Sequence, residues 1–297
     1  MAAIGLYPDG VCLVRMLAPE NPGERPRILA REFRASAAGR NQREVLAELV
    51  RDHNLASCRC TTFLDENDYK LILTNTPEVA PDEVKNAIRW RVKDFIDFHI
   101  NEATVELFEL PDTGAGLAKE LYVVAARNSA IKDRMQLLQD AGVDLEIIDI
   151  PEMALRNLSV LLPEDADGMA MLTLSARGGL ITLTRQGQMF LSRPIAIGLE
   201  SLQGFGEPAR YFDQILLDIQ RSLDYYESHF RQAAIRHLVL APLPGEAPGL
   251  FEHLTANLSI PVRQLDLSGL LDGDEPLSAS WQAKYLTTIG ASLRVED

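Results

Sequence analysis

MAMLTLSARGGLITLTRQGQMFLSR, residues 169–193, reads as three short strands in hairpin order. Met169–Leu174, Leu180–Thr184 and Met189–Arg193 are the strands, with turns at Ala176–Gly179 and Gln186-Gly187. Beyond them the spacing predicts a helix from about Ala209 to Phe230, with Tyr211, Ile215, Ile219, Leu223 and Tyr226 recurring at helical intervals. Arg236–Leu240 then reads as a buried strand and Leu250–Leu258 as a helix. Ile260–Leu265 reads as another strand and Trp281–Leu293 as a closing helix.

The first half follows the same order. Ala2–Tyr7, Val11–Leu17 and Arg27–Phe33 are strand-like, joined by Pro8-Asp9-Gly10 and the turn-rich Pro19–Pro26. Asn41 is placed to cap a helix with Val45, Leu46, Leu49 and Val50 on one face, ending near His53, and Cys58–Leu64 is a short strand. Three strands, helix, strand, helix, repeated in pattern but not in residues, is the layout of the actin-like, ribonuclease-H-like fold. The expected class is therefore α/β, a two-lobed actin-like ATPase fold with two lobes facing a cleft.

Between the halves the sequence predicts an extra unit. Tyr69–Thr74 is a strand, Pro81–Phe95 a helix with proline in its first turn, and Thr104–Leu110 and Glu120–Ala126 are strands around a Pro111–Gly116 turn. Ile131–Ala141 is a helix stopped by Gly142, and Leu145–Ile150 a final strand. That order matches an inserted ferredoxin-like split βαβ subdomain. The expected organisation is residues 1–68 as first lobe, 69–150 as insertion, 151–166 as a helix returning to the first lobe, and 167–297 as second lobe.

Composition narrows the function. The 29 Lys and Arg against 43 Asp and Glu give a net charge of −14. Such a chain repels phosphate backbones and anionic lipid, so neither nucleic acid binding nor direct membrane docking is expected. No apolar run is long enough for a membrane-spanning helix, and the start has no signal-peptide pattern. Cys12, Cys58 and Cys60 cannot all pair, and the histidines lack metal spacing, which suits a reducing cytosol and argues against a metal site.

Five stretches in order carry a resemblance. They are Ala3-Ile4-Gly5-Leu6 followed by Gly10-Val11, Val79–Phe98, Ala125–Asp149 with Pro151–Asn157, Ile219–Tyr226 and Tyr285–Arg294. The chain resembles the PilM-like type IV pilus assembly proteins over nearly its whole length, and most closely their MSHA-pilus members. The resemblance implies a cytoplasmic protein, peripheral to the inner membrane. It would hold the cytoplasmic tail of a PilN-like single-pass inner-membrane protein and meet other platform proteins. In that family the tail lies between the first lobe and the insertion, and ATP is bound in the cleft.

The nucleotide motifs are eroded. At the first phosphate turn the family's Asp-x-Gly-Ser becomes Leu6-Tyr7-Pro8-Asp9-Gly10, where Pro8 lacks an N–H and Asp9 is shifted. At the second, Leu172-Thr173-Leu174-Ser175 replaces the expected Asp-x-Gly, and Gly178-Gly179 stand later. Ile195–Gly198 resembles a further family turn, but the helical Ala-Glu-x-x-Lys segment that should follow is missing, and Pro242-Leu243-Pro244-Gly245 replaces an adenosine-side Gly-Gly. Asp9, Gly10, Gly178, Gly179 and Gly198 are thus the residues of a degenerate nucleotide site. No catalytic or metal-binding residue is identified, and ATP hydrolysis and a resident ATP/Mg are not expected.

Plain structural roles stand beside these. Asp9-Gly10 and Gly178-Gly179 are ordinary hairpin turns more often than phosphate sites, and Trp90, Phe95 and Phe98 read as core. The sequence shows no His and acid set to go with Ser175 or Ser192, so no nucleophilic site is read there. Two other functions share the fold: an active actin-like ATPase, and a GspL-like type II secretion component, which continues into a membrane helix where this sequence closes.

Overall fold

A computed structural model describes every residue except 22, 37–40, 112–118, 204–207 and 296–297. The chain divides into two compact units: Met1–Met16 with Ala30–Met153, and Leu17–Leu29 with Ala154–Asp297.

The first unit begins with strands β1 (Ala2–Tyr7), β2 (Gly10–Leu17) and β3 (Arg27–Ala35) and helix α1 (Gln42–Asp52). Asn41 caps α1 through its side chain, which accepts from Glu44 N at 2.9 Å, while the Glu44 carboxylate accepts from Asn41 N at 3.3 Å. This reciprocal pair satisfies donors that a helix start otherwise leaves open. Val45, Leu46, Leu49 and Val50 are buried as their spacing predicts. β4 (Arg59–Phe63) runs parallel to β1.

The inserted elements are β5 (Tyr69–Asn75), α2 (Val84–Val92), β6 (Ala103–Glu109) and β7 (Glu120–Arg127), followed by α3 (Asn128–Asp140) and β8 (Asp144–Asp149). β5, β7 and β6 form their own antiparallel sheet in that order. The turn expected at Pro111–Gly116 lies, beyond Pro111, outside the described residues.

β8 corrects the expected division. The sequence places it as the last strand of the insertion, yet it pairs in parallel with β4 and completes a five-stranded sheet of order β3-β2-β1-β4-β8. Leu138 of α3 and Leu145 of β8 pack into the same core as Ile4, Leu13, Leu46 and Leu49. α3 and β8 are therefore the second helix and fifth strand of the first sheet. The insertion proper is the β-α-β-β portion lying within the β4-to-α3 connection.

Two aromatic residues also differ from expectation. Trp90 is 63% exposed and Phe95 65%, whereas Phe98 is half-buried beneath the Arg127 guanidinium. Ile88 and Val92, four residues apart, face the inserted sheet's core. A residue two positions from each lies roughly opposite on the helix, which is where Trp90 stands.

Helix α4 (Pro151–Ser159) starts in the first unit, but from Ala154 onward it belongs to the second. Asn157 Nδ2 donates to Gly290 O at 3.1 Å, and the Arg156 guanidinium donates to Gly187 O. The segment 151–166 is thus not a helix returning wholly to the first lobe. Its hydrogen-bond partners Gly187 and Gly290 lie later in the chain, which no local pattern reveals.

In the second unit β9 (Met169–Leu174), β10 (Gly179–Arg185) and β11 (Gln188–Ile195) are antiparallel, followed by α5 (Leu199–Gln203) and α6 (Pro208–Phe230). β12 (His237–Leu240), α7 (Leu250–Asn257), β13 (Val262–Gln264) and α8 (Ala279–Ser292) complete it. The sheet order β11-β10-β9-β12-β13, with β12 and β13 parallel to β9, repeats the plan of the first. The short helix α5 has no counterpart in the sequence reading.

Candidate functional site

The first turn is a tight hairpin. Tyr7 pairs with Gly10, leaving Pro8 and Asp9 as the turn residues. Asp9 O accepts from Ser36 N at 2.9 Å, and Tyr7 O accepts from Gln42 Nε2 at 3.1 Å. A Cβ on Gly10 would lie 2.3 Å from Arg34 O and 2.7 Å from the Phe33 ring. The close approach of β3 thus accounts for this glycine by packing alone.

The second turn is closed on itself. Ser175 N donates to Gly178 O at 2.7 Å, Ser175 Oγ to the same carbonyl at 3.0 Å, and Gly178 N to Ser175 Oγ at 3.3 Å. Two carbonyls of the turn also accept from the start of α5: Leu199 N to Ser175 O at 3.0 Å and Glu200 N to Ala176 O at 2.9 Å. Gly198 lies directly against this turn, since a Cβ there would fall 2.4 Å from Gly178 N and 2.5 Å from Ala176 O. The fold therefore brings Gly178, Gly179 and Gly198 together, but uses their surroundings to bond the turn to α5. Leu172, where an acid was expected, is fully buried in β9, and its carbonyl accepts from Ala241 N.

Beyond the ends of β12 and β13 lies a cavity of about 430 Å³. Leu240–Leu243 form one wall, Gln264–Asp266 and Ser268 another, and Leu277, Ala279 and Gln282 the third. Carboxyl ends of parallel strands are where α/β sheets hold ligands. Gln282, 3% exposed, organises the polar side. Its Oε1 accepts from Leu267 N at 2.8 Å, while Nε2 donates to Asp266 Oδ1 at 2.8 Å and Leu277 O at 3.1 Å. Asp266 Oδ1 also accepts from Ser268 N at 2.9 Å. The Gln282 and Ser268 bonds hold the Asp266 carboxyl below its ordinary range. The sequence singled out neither Asp266 nor Gln282, sixteen residues apart, because their meeting depends on tertiary packing.

The first unit carries a buried polar pair where the insertion leaves the core. Tyr69 Oη donates to Glu152 Oε2 at 2.5 Å, and both residues are 6% exposed. Burial pushes the Glu152 carboxyl up, and Asp149 and Glu66 add to the shift against the Tyr69 bond. Around the pair, Leu64, Tyr69, Ala126 and Ile150 form an apolar cluster with Leu71, Ile148 and Met153. Here β5 has β7 as its one partner strand among the described residues, and β8 likewise has β4. Among the described residues each keeps one edge that pairs with no strand. No group of three or more potential metal ligands occurs among the described residues, and no described helix is long and apolar enough to cross a membrane.

No protein-family model matches the chain, and no curated protein matches its sequence. Solved structures do. A chain of a PilM–PilN type IV pilus biogenesis complex is similar over 98% of this chain and 97% of its own, at TM-score 0.72 and 17% identity. The cytoplasmic domain of EpsL, an inner membrane component of the type II secretion system of Vibrio cholerae, is similar over 98% and 93%, at TM-score 0.52 and 10% identity. The fold is actin-like. At these identities the likeness reaches the architecture and stops short of activity.

Proposed function

We propose that this chain is an adaptor of a type IV pilus inner-membrane platform, of the MSHA-pilus MshI kind, which holds the cytoplasmic tail of a PilN-like membrane protein. The observation that carries the reading is the unpaired β5 edge beside the apolar cluster of Leu64, Tyr69 and Ile150. An extended peptide gains main-chain hydrogen bonds at such an edge and side-chain pockets beside it. The similar chain from the PilM–PilN complex has this architecture over almost its full length. A net charge of −14 favours a basic or neutral tail. In this reading the protein is cytoplasmic and reaches the membrane through its partner. Fluorescence anisotropy of a labelled PilN-like tail against the full chain should give saturable binding without nucleotide. Binding that appears only with ATP present would sink the adaptor reading.

The same reading makes Asp9, Gly10, Gly178, Gly179 and Gly198 remnants of a nucleotide site without turnover. The Ser175–Gly178 turn, bonded to itself and to α5, supports this. Millimolar Mg-ATP should leave the melting temperature unchanged and release no phosphate. A ligand present at about 100 times its Kd would stabilise the fold by about 2.7 kcal/mol, so a clear upward shift would contradict the proposal. A second reading, a type II secretion component, is favoured by the likeness to the EpsL cytoplasmic domain. Tail binding separates the two: a secretion component would ignore the PilN-like peptide.

A further inference from the structure

The cavity beyond β12 and β13 lies wholly in the second unit, and the adaptor reading does not use it. Three of its properties together select a ligand class. Its volume of about 430 Å³ lies within the range of small-ligand pockets, roughly 300–1,000 Å³. Its walls are mostly aliphatic, with Leu240, Pro242, Leu243 and Leu277 among them. Among the described residues that line it, Asp266 is the one charged residue and none is lysine, arginine or histidine.

The carboxylate belongs to a built wall. Oδ1 is held by both Ser268 N and the buried Gln282 amide, whose own groups are all bonded within the wall. A side chain fixed this way loses little freedom when it meets a ligand. A phosphate or carboxylate entering here would meet a negative charge and no cation. An aliphatic stem ending in a cation would cover the leucines and present its charge to Asp266, as long basic side chains do elsewhere.

We propose that this cavity is a recognition pocket for a basic side chain, arginine or lysine, presented by a partner polypeptide. The overall charge of −14 would draw such a segment toward the surface. The pocket is independent of the tail site on the first unit, so either assignment can fail without the other.

The experiment uses the full chain and N-acetyl-arginine amide as probe, followed by saturation-transfer NMR and titration calorimetry. Its uncharged isostere, N-acetyl-citrulline amide, is the control. The arginine probe should bind in the millimolar range, and the citrulline probe about tenfold more weakly, because citrulline keeps the stem and loses the charge that Asp266 would meet. Asp266→Asn keeps an oxygen for Ser268 and Gln282 while removing the charge, and should erase that difference. Ala279→Phe, on the cavity wall at the exposed start of α8, should weaken binding by filling space even if Asp266→Asn alters the fold. Equal binding of the two probes, no binding of either, or arginine binding indifferent to both substitutions would overturn the proposal. Binding of adenosine in place of the arginine probe would overturn it too, and make the cavity a nucleoside site.

Discussion

Gly290→Ala should destabilise the protein by about 3 kcal/mol, the upper part of the usual range for overpacking a well-filled interior. A Cβ at this position would lie 2.2 Å from Ala154 O and 2.7 Å from Ala154 C. The obstacle is the backbone of α4, which cannot swing aside as a side chain can. The same contact places Gly290 O where Asn157 Nδ2 donates to it at 3.1 Å, so moving the helices apart also strains a buried hydrogen bond. For a unit of this size the loss corresponds to a fall in melting temperature of about 6–12 °C. Gly269→Ala is the control, since a Cβ there meets nothing within 4 Å and the backbone is not left-handed. Thermal melts of the two variants decide the matter. Equal, small effects at both positions would mean that α4 and α8 do not pack as described.

Tyr69→Phe should cost more stability at alkaline than at acid pH. Glu152 is buried and its carboxyl is raised above the ordinary value near 4.5, first by burial and then by Asp149 and Glu66. The folded state therefore holds this proton more tightly than the unfolded state. Protein stability from this group is fully present below the ordinary carboxyl value and is lost as pH rises through the raised one. Above that point the native state carries a buried carboxylate whose described side-chain donor is Tyr69 Oη, at 2.5 Å. Removing the hydroxyl then leaves a buried charge short of a bond, worth about 2 kcal/mol. At pH 5 the cost should be about half as large. Glu152→Gln keeps an acceptor for Tyr69 and removes the ionisation, so its stability should fall less than wild type between pH 5 and pH 8. Denaturant melts at both pH values test this. A Tyr69→Phe penalty independent of pH would show that Glu152 stays neutral throughout.

Much of this protein was legible in local chemistry. The turns at Pro8-Asp9-Gly10 and Gln186-Gly187, the Asn41 cap and the helical spacing of Val45, Leu46, Leu49 and Val50 all stand where the sequence puts them. These features depend on neighbours within about four residues, so one sequence contains them. The repeated order of strands and helices, and with it the actin-like fold, followed from the same short-range signals. That an acid is expected where Leu172 stands came from the family resemblance, whereas the burial of that leucine in a strand is what its own chemistry favours.

The tertiary structure decided what depends on which elements meet. Nothing in Asp144–Asp149 says whether that strand joins the inserted sheet or pairs with β4, since an apolar strand suits either; the packing of Leu138 and Leu145 with α1 and β1 settles it. Trp90 and Phe95 looked like core because aromatic residues bury well, but helix phase turned Trp90 outward once Ile88 and Val92 had found the sheet. Ala176–Gly179 was recognised as a turn, yet the bonds of Ser175 O and Ala176 O to Leu199 and Glu200 needed α5 in place. Tyr69 and Glu152 are 83 residues apart, and Asp266 meets Gln282 only because α8 folds back over the loop after β13. Backbone preference is set by the nearest residues, whereas a buried polar pair or a strand's choice of partner is set by long-range packing, which only the folded chain supplies.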